Sequence, residues 1–388
     1  MKICIVTTAF PRWENDSRAP FILEAAKSIA RQGVEVKVIA SHSPGAKTHE
    51  FIDGIEIYRP RYLPLRWENL HREPGGIPEA WSNQKFGKYA IFPFIFSQLI
   101  AVIRYTKDCD IIHANWTIAG FNAWINNLLF HIPYIITLQG SDIYKAANLS
   151  FAKKITFNTL KRAQKIITLS NSLKNEVMKF ENLENKIDVI PNGVNTRLFN
   201  SDSEDRENLI IYTGSLIKRK GVEFLVKAIP AVIDSYPDFR LMIIGEGNEE
   251  NNLKDLVKSL NLSNHVKFLG QIDQNSVKEW LQKSKLFILP SIEEGQGVVL
   301  VEALACGTPC IGSDIGGIPD VISDDVGTLV PPENPKALSE AILFYLNNED
   351  VWLKKSKNSR IRATQHFDWE VVGKKIVQLY YSLLSLDE

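Results

Sequence analysis

Cysteine is scarce in this chain: Cys4, Cys109, Cys306 and Cys310 are the four in 388 residues. So few thiols in so long a chain make no disulfide framework. Cys306 and Cys310 lie four positions apart, but no second Cys or His pair accompanies them, so they read as buried free thiols and not as a zinc site. Net charge is also lacking, since 45 Lys+Arg balance 45 Asp+Glu. That balance argues against a nucleic-acid binder, which carries a basic excess. A hydrophobic content of 45% argues equally against a disordered chain. Long apolar runs are missing too. The longest, AIFPFIFSQLIAVI (90–103), falls short of the ~20 residues of a membrane span and contains Pro93 and Gln98. It reads as a buried helix, with monotopic contact at a membrane surface as the alternative. The N-terminus, MKICIVTTAFPRW, has a short apolar run and no small-residue cleavage site, so it reads as a first strand and not a signal peptide. The expected location is cytoplasmic, with a peripheral position at the inner membrane face left open.

What is present is a repeated alternation. The runs at 2–8, 34–40, 110–114, 134–138, 165–170 and 186–190 are short, apolar and rich in β-branched residues. Amphipathic stretches such as 20–32, 117–130 and 150–164 separate them. The second half repeats the scheme at 209–214, 239–245, 265–270, 285–291 and 308–314. Apolar strands alternating with helices predict parallel sheets covered on both faces, hence two doubly wound α/β domains. The length suits two domains, and the polar, acidic segment RLFNSDSEDREN (197–208) is the expected boundary. The closing segment from Phe367 reads as a terminal helix capped by Asp368.

The zero net charge conceals an asymmetry: residues 1–200 sum to +8 and residues 201–388 to −8. One stretch also breaks the rhythm. Residues 60–90 hold Pro60, Pro64, Pro74, Pro78, Gly75 and Gly76, with Tyr62, Trp67, His71 and Trp81 among them. A long irregular loop in a compact domain is usually functional. Trp67 and Trp81 suit either an acceptor-binding wall or small satellite cores.

The strongest local signal is LPSIEEGQGVVLVEALACGTPCIGSD (289–314). A buried strand ends at Pro290, an acidic turn follows, and Gly295 and Gly297 open a helix. Free N–H groups and the positive dipole end at such a helix start suit a phosphate. Glu294 and Glu302, eight apart, can accept hydrogen bonds from hydroxyls on either side of a bound diphosphate. Read from the residues alone, ordinary strand–turn–helix packing is an equal alternative.

With its E-x7-E spacing and the following EALACGTPCIGSD, this segment resembles the donor-site signature of the family-four retaining glycosyltransferases of GT-B fold. The resemblance continues in order through VIPNGVNTRLF (189–199), YTGSLIKRKGVEFLVKAI (212–229), IIGEGNEENNLK (243–254), VKFLGQI (266–272) and GGIPDVI (316–322). In the first half it runs through residues 10–40, DIIHANWTIAG (110–120) and YIITLQGSDIY (134–144). The resemblance implies two Rossmann-like α/β domains with an interdomain cleft. An acceptor-side domain would span 1–200, with 367–388 packing back on it, and a nucleotide-sugar domain would span 205–366.

It also implies roles. Glu302 would hold the ribose hydroxyls and Glu294 those of the donor sugar. Lys220, with Arg219 and the N–H groups around Gly295, Gln296, Gly297 and Val298, would neutralise the diphosphate. Ser215 stands where the family often has Arg, and Gly245 belongs to the same donor-side set. Gln139 replaces the family's usual His near the reacting carbon, and an amide cannot carry charge. His113, at a strand end, is either part of the site or a satisfied histidine under a helix. Asp142 would bind acceptor or cap the next segment. The acceptor hydroxyl would attack from the leaving-group face, with no protein nucleophile, no metal and no cofactor beyond a UDP- or GDP-linked sugar. Asp108-Cys109-Asp110 has the spacing of a metal-binding Asp-x-Asp but reads as a turn into a strand. Expected partners are a nucleotide sugar, a glycan or polyprenyl-linked acceptor and, at most, an anionic membrane surface. A sugar-nucleotide epimerase, a phosphorylase and a catalytically silent nucleotide-binding subunit are the rival functions.

Overall fold

A computed structural model describes residues 1–13, 16, 18–68, 70, 87–140, 143, 150–179, 183–200 and 206–385. The chain forms two compact units, Met1–Asn192 with Trp369–Glu388, and Gly193–Asp368. The division therefore falls before the acidic segment 197–208: Val194 and Phe199 are buried in the hydrophobic core of the second unit.

The first unit is built on an eight-stranded sheet. Its strands are β1 (Lys2–Thr7), β2 (Glu35–Ile39), β3 (His49–Ile52), β4 (Ile55–Tyr58), β5 (Ile111–Asn115), β6 (Tyr134–Leu138), β7 (Lys165–Thr168) and β8 (Ile187–Val189). Their order is β3-β4-β2-β1-β5-β6-β7-β8, and every pair but β3–β4 is parallel. β5 and β6 are buried at every position, as strands covered on both faces must be. The β3–β4 hairpin has no counterpart among the expected strands. Its turn is Asp53-Gly54 with both residues at positive φ, 50° and 80°, the conformation a tight two-residue hairpin requires.

The second unit holds β9 (Glu207–Thr213), β10 (Arg240–Ile244), β11 (Val266–Gly270), β12 (Ser284–Leu289), β13 (Cys310–Ser313) and β14 (Gly327–Val330). All are parallel in the order β11-β10-β9-β12-β13-β14. β14 is a further strand beyond those expected. Strand order reverses direction at β9/β12 here and at β1/β5 in the first unit. In open parallel sheets the loops leaving the strands on either side of such a point diverge and leave a crevice at the carboxyl ends. In the second unit those loops are 214–221 and 290–297.

The helix Trp369–Leu384 belongs to the first unit. It packs against Pro20–Arg31, burying Trp369, Val372, Ile376 and Tyr380, while Arg31 pairs with Glu370 at 2.6 Å. The helix Gly87–Tyr105 departs from the expected buried element. Ala90, Ile91, Phe94, Gln98, Ala101 and Val102 face inward, but Tyr89, Phe92, Phe96 and Ile100 are exposed.

Candidate active site

The two loops at the switch point of the second unit are tied to each other through their backbones. Ile292 and Glu293 donate their N–H groups to the carbonyl of Arg219 at 2.8 and 3.3 Å. Gly221 is required where they touch. Its φ is 62°, and a Cβ there would lie 2.1 Å from the carbonyl oxygen of Pro290. The acidic loop is fixed from its other side by Gly317, whose N–H donates to the carbonyl of Glu294 at 3.1 Å.

This frame sets Lys220 Nζ 2.5 Å from Glu294 Oε2, with both side chains largely buried. Ser291 Oγ and the N–H of Gly295 donate to the same carboxylate at 3.4 and 3.1 Å. Burial alone would raise the Glu294 pKa, but the Lys220 ammonium, the Arg219 charge and the Gly295 N–H outweigh it and hold the carboxyl below its ordinary range. Glu294 is therefore ionised and already surrounded by donors.

Glu302 is the opposite case. It sits half-buried on the helix Val298–Ala305, and desolvation pushes its pKa up to about 7. Among the described residues no hydrogen bond or ion pair compensates it. A carboxylate in that state gains from any hydroxyl donors brought to it. The same helix begins at Gly297, in the left-handed region at φ 82°, with no side-chain cap and no acid in its first turn. No side chain therefore caps the first N–H groups of this helix, the groups expected from the sequence to meet a phosphate. Gln296 is buried beside Gly297.

The remaining donor-side residues fall around the same strand ends. Ser215 follows β9, where its carbonyl accepts a 3.0 Å bond from the Tyr212 hydroxyl. Gly245 follows β10, its N–H on the carbonyl of Gly270 at 2.8 Å. Tyr212 was not legible as a site residue. It lies inside an apolar strand, and only the structure shows its hydroxyl tying the loop that carries Ser215.

In the first unit the polar groups at the strand ends close on one another. His113 on β5 is buried, its Nδ1 2.6 Å from the Tyr380 hydroxyl and its Nε2 2.7 Å from Thr137 Oγ1. Desolvation lowers its pKa to about 3, so it is a neutral imidazole with one nitrogen donating and one accepting. Of the two sequence readings, this geometry matches the satisfied histidine under a helix, and the helix is Trp369–Leu384. Gln139 donates from Nε2 to Asn115 Oδ1 at 3.2 Å and accepts at Oε1 from Asn192 Nδ2 at 3.2 Å. Trp67 is exposed, with the Arg66 guanidinium 4.8 Å over its ring. Trp81 and Asp142 lie outside the described residues.

Asp108 and Asp110 hold strands together. Asp108 pairs with Lys2 at 2.7 Å and Lys37 at 3.0 Å, which lowers its pKa to about 2, and Asp110 accepts the backbone N–H of Lys2 at 2.7 Å. Among the described residues no three His, Cys, Asp or Glu side chains converge as cation ligands. Cys306 and Cys310 are buried free thiols, that of Cys306 pushed up to about 12 by burial.

The sequence matches two families in tandem: Glycosyltransferase Family 4 over residues 19–198 and Glycosyl transferases group 1 over residues 195–366. A glycosyltransferase of Methanocaldococcus jannaschii is 31% identical over 72% of this chain and 77% of its own. The teichuronic acid biosynthesis glycosyltransferase TuaC of Bacillus subtilis is 26% identical over 91% of this chain and 90% of its own. Among solved structures, the sucrose-phosphate synthase of Thermosynechococcus elongatus superposes with a TM-score of 0.82 at 22% identity, over 99% of each chain. With both family matches in order, and with two parallel α/β units of this topology, the chain belongs to the family-four glycosyltransferases of GT-B fold.

Proposed function

We propose that this glycosyltransferase moves a sugar from a nucleoside diphosphate to a glycan or lipid-linked acceptor with retention of configuration, without a metal or other cofactor, in the synthesis of a cell-surface polysaccharide or glycoconjugate. The observation that carries the donor side of this reading is the Lys220–Glu294 pair beside an uncapped helix start, with the uncompensated Glu302 on that same helix. Glu302 takes the ribose hydroxyls and Glu294 the sugar hydroxyls. Lys220, Arg219 and the N–H groups from Gln296 to Val298 take the diphosphate. Cleaving a sugar–phosphate bond leaves negative charge on the departing diphosphate, and fixed donors and cations aimed there lower the barrier. On donor binding, Lys220 leaves the carboxylate for the phosphates, and the sugar hydroxyls replace it on Glu294. The acceptor hydroxyl attacks from the face of the leaving phosphate, which receives its proton, so no basic side chain is needed. Gln139 orients a sugar hydroxyl through its remaining donor and acceptor capacity. The TuaC likeness supports a polysaccharide role, and the +8 of residues 1–200 supports contact with an anionic membrane that carries the acceptor.

The test is turnover on a panel of UDP- and GDP-sugars, with the anomeric configuration of the product read by NMR. We expect one donor to be consumed, its configuration kept, the rate unchanged by chelator, and Glu294→Ala to abolish it. Nucleotide binding without turnover of any donor would support the silent-subunit reading instead, and an inverted product would refute retention.

A further inference from the structure

The helix Gly87–Tyr105 is apolar on both sides. Its inner face is used: Ala90, Ile91 and Phe94 form a small core with Tyr62 and Leu70. Its outer face is left to solvent. Tyr89 is 74% exposed, Phe92 72%, Phe96 64% and Ile100 50%, at spacings of three, four and four that stack them in one stripe. A surface helix ordinarily turns polar residues outward, and large contiguous apolar stripes on a protein mark an interaction site.

The charge around the stripe chooses between a bilayer and a second protein surface. The sequence between Glu79 and Asp108 contains no acidic residue and four basic ones. Arg104, on the last turn of the helix, is exposed. The segment 61–67 lies against the same helix: the carbonyl of Arg61 accepts from Ser97 Oγ at 2.8 Å, and Tyr62 meets Phe94 edge-on at 5.5 Å. That segment adds the exposed Leu65 and Trp67, flanked by Arg61 and Arg66. The one acid beside them, Glu68, is buried and turned inward onto His42 at 2.6 Å, with Arg61 3.8 Å away, so the exposed side chains are aromatic or basic. Aromatic side chains next to exposed arginines match the boundary between acyl chains and anionic headgroups. No helix among the described residues is long and apolar enough to cross a membrane. The stripe therefore lies along a surface and does not span it.

We infer that the outer face of Gly87–Tyr105, with Leu65 and Trp67, is a docking surface for an anionic lipid bilayer. Tyr89, Phe92 and Phe96 insert at the headgroup level while Arg61, Arg66 and Arg104 meet lipid phosphates. The inference rests on the proposed membrane-borne acceptor and specifies which surface meets it.

The experiment is co-sedimentation of the full chain with phosphatidylcholine vesicles, with and without phosphatidylglycerol. It is run for the wild type, for Phe92→Asp/Phe96→Asp and for the exposed pair Arg66→Glu/Arg104→Glu. The two phenylalanines are mostly exposed, so unchanged melting temperature and nucleotide binding are expected and certify each variant. We expect the wild type to bind only the anionic vesicles, and both variants to bind them about tenfold or more weakly. Absence of wild-type binding, or variants that bind like wild type, would overturn the inference. So would a dimer in sedimentation velocity that the Phe92→Asp/Phe96→Asp variant dissolves, since a second copy would then be the occupant. Donor turnover by the same preparations separates failure of this surface from failure of the glycosyl-transfer reading.

Discussion

The two units place polar side chains at equivalent positions, the carboxyl ends of strands beside a switch point, and leave them in opposite states. In the first unit, His113 spends both nitrogens on Tyr380 and Thr137, and Gln139 bridges Asn115 and Asn192. In the second, Lys220 and Glu294 are each other's partner, and Glu302 carries a pKa pushed to about 7 with no hydrogen bond or ion pair from any described residue. Neutral groups that satisfy one another stabilise a scaffold. Charges that compensate one another, or nothing, can exchange partners for a charged ligand. On the proposed reading, that difference gives the donor to the second unit and a positioning role to the polar network of the first.

That contrast can be broken most forcefully at the Lys220–Glu294 pair. Lys220→Ala leaves a buried carboxylate unpaired and should cost on the order of 3 kcal/mol of stability, read by urea unfolding. The double variant Lys220→Ala/Glu294→Ala should recover much of it, because no orphaned charge remains. The stabilisation Glu294 provides should be present above its ordinary carboxylate range and lost as pH falls through its depressed pKa. Additive losses in the two single variants would show that the pair is not coupled.

Glu302 should behave in the reverse sense. Its pKa is raised from 4.5 to about 7, so whatever it contributes is present below pH 4.5 and lost as pH rises through 7. The shift corresponds to about 3 kcal/mol, reduced by solvent screening of the partly exposed carboxylate, so Glu302→Gln should stabilise the unliganded protein at pH 8 by about 2 kcal/mol, an advantage that fades in acid. A variant less stable than wild type at pH 8 would mean that the carboxylate has a partner.

The smallest effect is expected in the first unit. His113→Leu should lower stability by about 1–2 kcal/mol by orphaning the Tyr380 and Thr137 hydroxyls. Donor KM and kcat should stay within about twofold once the protein is folded. A large fall in kcat at unchanged stability would favour the other sequence reading, in which His113 is part of the site.

The strand–turn–helix geometry of the acidic loop was legible in sequence because its constraints are local: Gly295, Gly297, Glu294 and Glu302 sit within nine residues of one another. That this loop serves a donor came from the resemblance, since the residues alone left ordinary packing as an equal reading. Lys220 was legible through resemblance alone, since 74 residues of chain separate it from Glu294. The satisfied state of His113 was not legible, because Tyr380 lies 267 residues away and reaches it only when the last helix docks. The β3–β4 hairpin carried a readable signal in Asp53-Gly54 that short flanking strands made easy to pass over. The helix Gly87–Tyr105 was legible in part: its inner face is buried as read, but apolar content alone does not show that Tyr89, Phe92, Phe96 and Ile100 face outward.

If the charged loops of the second unit bind the nucleotide diphosphate, the carboxylate of Glu302 must matter to nucleotide affinity. Calorimetric titration of wild type and Glu302→Gln with UDP, GDP and ADP tests it most directly. One nucleotide should bind the wild type, and Glu302→Gln, although more stable when unliganded at pH 8, should bind it about tenfold or more weakly. Equal affinity in the two proteins, or no binding of any nucleotide, would contradict it.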